Sequence, residues 1–330
     1  MEKEVVENLW NGDRDSQIQA AMKLSRLRSK QRHKLAESGA MVPLISMLHS
    51  KNYEAIEASL CALLSLCFGS ERNKIRIIKC GALPVLLNFL HCRSQPNTVT
   101  QMTLVAMLTL SSCNANKVAI ASSGAIQLLA EFVNSSCSTQ SQLDAIATLH
   151  NLTTCQNIVP LIVSSGVILS LLELIHRSVK SSQLVEKAIG LLENIVSSLK
   201  NALCEACSDG RTIRMLVETI EDGSLLSKEH AVSMLLLICQ SCRDKYRGLI
   251  LTEGVMPGLL QLSVDGTRRA KSMARELLLL LRDCRNYSSR RKHINHELIE
   301  RVMEEIDSKG EKLGDTTLRL IEEMLAKLNA

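Results

Sequence analysis

Apolar residues recur along most of the chain at spacings of three and four, the period of a helix with one buried face. Six glycines punctuate this pattern: Gly39, Gly81, Gly124, Gly166, Gly210 and Gly254 stand 42, 43, 42, 44 and 44 residues apart. The stretches they open read alike, as Ser38-Gly39-Ala40-Met41, Cys80-Gly81-Ala82-Leu83, Ser123-Gly124-Ala125-Ile126 and Ser165-Gly166-Val167-Ile168 show, with looser copies at Gly210 and Gly254. A period of this length predicts a solenoid, whose units cannot bury their apolar faces alone and must stack on their neighbours.

Five residues past each glycine stands Leu44, Leu86, Leu129, Leu171, Met215 or Leu259, within helical apolar spacing that predicts one buried helix per repeat. Pro43, Pro84 and Pro257 fall in its first turn, where a missing N–H costs nothing. A second ladder sets a small residue seven positions before an aliphatic one: Ala20/Leu27, Ser59/Leu66, Thr103/Leu110, Ala145/Leu152, Ala188/Ile195, Ala231/Ile238 and Ala274/Leu281. Positions i and i+7 share a face, and small residues allow close packing, so this is a longer third helix. Polar, turn-forming segments at 92–97, 134–139 and 221–224 divide second from third helices. A short first helix precedes each glycine, and Asn73, Asn116 and Asn157 are read as its N-caps. The expected organisation is a partial N-terminal repeat or cap over 1–37, six repeats over 38–285, and a C-terminal helical cap or tail over 286–330. In that tail Ile294, Leu298, Val302 and Ile306 share one face, and a second apolar series runs from Leu318 to Leu328.

Composition narrows the class to all-α. Hydrophobic residues make up 46% of the chain but aromatics only 2%, and Leu, Ile, Ala and Ser dominate over strand formers. No apolar run reaches the length of a membrane span, and the N-terminus lacks the apolar stretch of a secretory signal. A soluble protein of the cytoplasm, the nucleus or both is expected. The twelve cysteines sit mostly in apolar helical stretches and are read as reduced core residues.

The wording Asn, branched apolar residue, Ser-Gly-Ala-Ile/Leu, Leu-Leu, and later Ala-x-x-x-Leu-x-Asn-Leu resembles the armadillo repeat over residues 13 to 285. Ser38 to Ile45 and Ala145 to Leu152 are most similar to the arrays of plant U-box ubiquitin ligases and their armadillo-only relatives. The resemblance implies a right-handed superhelical solenoid whose third helices line a concave groove for an extended peptide or a partner's surface. It also implies a groove-facing Asn near the end of each third helix, whose carboxamide both donates to and accepts from a ligand backbone. Here that line reads Arg26, Ser65, Thr109, Asn151, Asn194, Leu237 and Leu280. The family's nuclear-import carriers bear Trp four residues earlier; here those positions are Met22, Cys61, Val105, Ala147, Gly190, Ser233 and Glu276, which disfavours an import carrier. Trp10 lies outside the ladder, and Met1 to Asn11 are too few to supply a U-box.

Chemistry enters only to be weighed against packing. Cys204/Cys207 and Cys239/Cys242 have knuckle-like spacing within each pair, but they keep the repeat register and are read as core rather than zinc ligands. His293, His296 and Cys284 read as a solvated helix start. No phosphate-cradling loop, metalloprotease helix or nucleophile elbow occurs, so no enzyme, cofactor, metal or small-molecule substrate is expected. The formal charge of +5 is uneven: residues 16–36 carry six cations and no acid, and 268–292 carry nine cations against Glu276 and Asp283. With few aromatics to stack bases, these basic ends read as a solvated face, or as contacts for an acidic protein or a lipid headgroup, rather than as specific nucleic-acid binding. Residues 288–292 also form a weak nuclear-localisation or phosphorylation signal. The expected function is a non-enzymatic adaptor that binds a protein partner through Ser65, Thr109, His150, Asn151 and Asn194. The alternative is the substrate-recognition part of a U-box-type ligase separated from its U-box.

Overall fold

The computed structural model describes residues 2–282 apart from 93, 95, 136, 208 and 209, and of Glu2 the backbone only. The expected C-terminal tail, the cations beyond Arg282 and the His293/His296/Cys284 group lie outside the described residues.

Among the described residues every long element is an α-helix. α1 (Glu2–Asn11) precedes α2 (Arg14–Ser25), the first helix of the third-helix type. A triplet then recurs: α3 (Ser29–Glu37), α4 (Met41–Met47) and α5 (Tyr53–Cys67); α6 (Glu71–Lys79), α7 (Ala82–His91) and α8 (Asn97–Ser111); α9 (Asn114–Ser122), α10 (Ala125–Asn134) and α11 (Thr139–Thr153). A 3-10 turn at Gln156–Ile158 opens the next, with α12 (Val159–Ser164), α13 (Val167–Arg177) and α14 (Gln183–Ser198). α15 (Lys200–Ala206), α16 (Arg211–Asp222) and α17 (Leu225–Ser241), then α18 (Arg243–Thr252), α19 (Met256–Asp265) and α20 (Arg268–Leu281), complete the series. The chain forms two compact units, 1–174 and 175–330. In the first, α2, α5, α8 and α11 pack side by side in sequence; in the second, α14, α17 and α20 do.

The glycine ladder marks the first-to-second helix joint as expected. All six adopt a left-handed backbone, φ +71° to +90°, which reverses the chain between helices at a conformation side chains resist. The two apolar ladders form the core. Leu44, Leu86, Leu129, Leu171, Met215 and Leu259 are buried, as is each pair from Ser59/Leu66 to Ala274/Leu281. Each such leucine contributes about 2 kcal/mol by leaving water. Ser59 donates its hydroxyl to the Leu44 carbonyl at 2.5 Å, so its polarity is satisfied where a small residue is needed. In the first pair Leu27 is only half-buried, because α2 ends at Ser25.

Two expectations are corrected. Asn157 is not an N-cap, lying inside the 3-10 turn that follows Cys155, and nor are Asn73 and Asn116: α6 is capped by Ser70, whose oxygen accepts from the Asn73 amide, and α9 begins after Cys113. Asn73 and Asn116 sit one turn inside and are buried. Asn73 Nδ2 donates to Leu66 O at 2.8 Å, while Asn116 Nδ2 donates to Leu110 O at 3.2 Å and to Lys74 O at 3.1 Å. The bonds to Leu66 O and Leu110 O close orphan carbonyls where a third helix hands over to the next first helix, and the bond to Lys74 O ties α9 to α6. Nor are the thiols mainly core: Cys67, Cys113, Cys207 and Cys239 are buried, but Cys61, Cys80, Cys204 and Cys242 are exposed. Each Cys-x-x-Cys pair thus has one thiol buried and one exposed. Burial pushes the Cys67 thiol up to about 12.

Cations from the first helices hold the C-terminal ends of the third helices. Arg32 Nη1 donates to Ser65 O at 2.8 Å, Lys74 Nζ to Ser112 Oγ at 2.8 Å, Lys117 Nζ to Thr154 Oγ1, and Arg243 Nε to Leu280 O at 2.6 Å. Positive charge there complements the helix dipole. At the opposite end, carboxylates of one third helix accept from the capping hydroxyl of the next, as Glu186 does from Ser224 at 2.9 Å and Glu229 from Thr267.

Candidate partner-binding face

The line of positions near the end of each third helix begins with Arg26, which is exposed, and Ser65 and Thr109, which are half-buried. The hydroxyls of Ser65 and Thr109 donate back to their own helices, to Ala62 O at 2.9 Å and Val105 O at 2.8 Å. Asn151 behaves differently. Its Nδ2 donates to Leu108 O at 3.3 Å and to Ser111 Oγ at 3.1 Å, both on the preceding third helix. The donor half of the carboxamide is therefore committed within the protein, and Oδ1 accepts no hydrogen bond among the described residues. The bond to Leu108 O brings Asn151 beside Thr109 on α8, while His150, one residue earlier on α11, is exposed. Beside this line Leu64, Val105, Leu108 and Ala147 are half-buried and Cys61 exposed, which makes an apolar strip.

Asn194 lies on α14 in the second unit, half-buried, with its backbone carbonyl accepting from Ser197 at 3.0 Å and Ser198 at 2.7 Å. Its neighbour Glu193 is the feature that sequence reasoning missed. Only 7% exposed, it takes a hydrogen bond from Ser233 Oγ, lies 2.5 Å from His230 Nδ1 and 2.6 Å from Arg269 Nη2. Arg269 also reaches Glu229 at 3.2 Å, so the network joins α14, α17 and α20. Burial pushes the Glu193 carboxyl up, but the bonds from His230 and Ser233 and the Arg269 charge outweigh it and hold the group below the usual glutamate value. Gly190 makes room for the imidazole: a Cβ there would sit 3.1 Å from His230 Nε2. The available signal was an acid at the register position that Leu64 and Leu108 hold in earlier repeats, combined with a glycine three residues before it.

Elsewhere on the third helices Asp144 is buried, which raises its carboxyl, and it accepts a hydrogen bond from Gln140 at 2.9 Å. Among the described residues, no group of three or more His, Cys, Asp or Glu side chains is placed to hold a metal ion. No single described helix is long and apolar enough to cross a membrane.

Residues 117–303, more than half the chain, match the family described as the plant U-box protein ARM repeat region, and residues 28–68 match the armadillo/beta-catenin-like repeat. U-box domain-containing protein 45 of Arabidopsis thaliana is 28% identical over 258 residues, covering 76% of this chain but 32% of its own length. The chain thus spans about a third of that relative. An engineered protein of known crystal structure superposes with a TM-score of 0.73 at 20% identity over 99% of this chain and 77% of its own. A designed armadillo repeat protein in complex with the peptide (KR)4 gives 0.53 at 16% identity over 84% of this chain and 98% of its own. The repeated triplets, the left-handed glycines at their joints and these matches agree: the fold is an all-α armadillo-repeat solenoid, and the chain belongs to the plant U-box protein ARM repeat family.

Proposed function

We propose that this chain is a non-enzymatic adaptor whose third-helix face binds a protein partner. In the first unit Ser65, Thr109, His150 and Asn151 carry the contact; in the second, Asn194 does. The observation that supports this is the state of Asn151, whose two amide hydrogens fasten the side chain to α8 while Oδ1 has no protein partner among the described residues. A preorganised acceptor next to an apolar strip suits an extended segment that donates a backbone N–H and lays an apolar side chain alongside. The designed armadillo repeat protein that holds a peptide lends the reading support from a shared fold. The basic N-terminal end adds attraction for an acidic partner, and the cytoplasm or nucleus is where fluorescent fusions should place the chain. Capture of partners by wild type and by Asn151→Ala with Asn194→Ala is the test. Weakened recovery of at least one partner is expected; recovery of every partner at unchanged strength overturns the placement.

A second reading is favoured by the match to the plant U-box repeat region: the chain serves as the substrate-recognising part of a ubiquitin ligase whose U-box lies elsewhere. Ubiquitination of a captured partner should then require an added U-box protein. Transfer by this chain with only activating and conjugating enzymes would contradict both readings.

A further inference from the structure

Two first helices of the N-terminal unit, α3 and α6, carry a concentration of cations that α9 and α12 lack. α3 holds Lys30, Arg32 and Lys34 against Glu37, and α6 holds Arg72, Lys74, Arg76 and Lys79 against Glu71. Between them lies a cleft of about 320 Å³ lined by His33 and Glu37 from α3 and by Arg72, Asn73, Ile75 and Arg76 from α6. Its one acid faces back along α3, with Glu37 Oε1 3.4 Å from His33 Nε2, and Glu71 on α6 is 3.4 Å from Lys74. Arg76 gives one long bond of 3.4 Å to Ala36 O, and Arg72, exposed, makes no hydrogen bond or ion pair among the described residues. Two guanidinium forks one helical turn apart, facing a cleft and short of acid partners, match the several acceptor oxygens of a phosphate better than a single carboxylate.

We infer that this cleft takes the phosphate of a phosphorylated serine or threonine within an acidic segment of a partner protein. The inference gives the acidic-partner reading a place and a chemistry, and rests on it. It is independent of the third-helix face. Two other polyanions fit less well. α3 and α6 bear no exposed large hydrophobic residue to enter a bilayer, and Phe68, exposed just before α6, is a single side chain. Neither carries Phe, Tyr or Trp to stack a nucleobase.

Fluorescence anisotropy with the full chain tests it, using an acidic peptide that holds one phosphoserine, the same peptide unphosphorylated, phosphatidylserine vesicles and single-stranded RNA. The phosphopeptide is expected to bind about tenfold more tightly than its unphosphorylated form, the effect of one charge-assisted pair. Arg72→Gln with Arg76→Gln should erase that preference, whereas Lys30→Gln with Lys79→Gln, which removes equal charge from the same helices outside the cleft, should keep it. Arg72→Gln alone should lose most of the preference with unchanged thermal unfolding. Equal binding of both peptides overturns the phosphate inference and leaves the acidic-partner reading standing; binding of neither overturns both. Equal loss of preference in the two double variants, or capture of vesicles or RNA in place of the phosphopeptide, overturns the cleft as the site.

Discussion

His230 on α17 holds Glu193 on α14 through a contact of 2.5 Å between Nδ1 and Oε2, and it does so at a position where α5 and α8 place Leu64 and Leu108 and α11 places His150. The pair lies within a network that also engages Ser233 and Arg269, so three successive third helices meet at one buried carboxylate. Removing it leaves Arg269 with Glu229 alone and the His230 imidazole without its acid. Glu193→Ala is expected to destabilise the second unit by about 1–3 kcal/mol, measured by thermal or urea unfolding of the full chain.

The same carboxyl makes stability depend on pH. Its folded-state value is held below the ordinary 4.5, so its contribution is fully present above that value and is lost as pH falls through the lower folded-state one. Wild type should therefore lose stability on acidification more steeply than Glu193→Gln. Parallel acid-unfolding curves for the two would contradict this.

Replacement of Gly124, φ +85°, or Gly166, φ +74°, by Val forces a β-branched residue into the left-handed region and should cost about 1–3 kcal/mol. Asn, which tolerates that region, should cost less at either site. No atom lies within 4 Å of a Cβ built at these positions, so the backbone alone carries the effect.

Asn116→Ala should open the joint between α8 and α9, because Leu110 O and Lys74 O lose a donor together. A loss of about 1–3 kcal/mol is expected, with faster amide hydrogen exchange concentrated in α6 and α9. Exchange that rises uniformly across the chain would show that the bond is not local glue.

Alkylation separates the thiols. Cys80, Cys204 and Cys242 should react with iodoacetamide at pH 8 well before Cys67, which is buried and titrates only near 12. Cys61, exposed but raised by partial burial and then by Glu57, should fall between them. Peptide mass mapping over a time course reads the order.

Period, helix type and core were legible in the sequence because each is one-dimensional: stacking repeats contact their neighbours in a constant register, so Leu44, Ser59 and their counterparts recur with the fold. The left-handed glycines were legible for the same reason, since a local backbone demand leaves a local mark. The roles of polar side chains were not. Asn73 and Asn116 have the composition of caps, but their carboxamides serve carbonyls six to 42 residues away. Glu193 entered no sequence reading, because the partners that folding places around it, His230, Ser233 and Arg269, lie 37 to 76 residues on. Sequence alone determined that this chain is an armadillo array and which positions line its third helices. Only the tertiary structure decided which donors on those helices are already committed, because a hydrogen bond depends on distances of a few tenths of an ångström that no periodicity encodes.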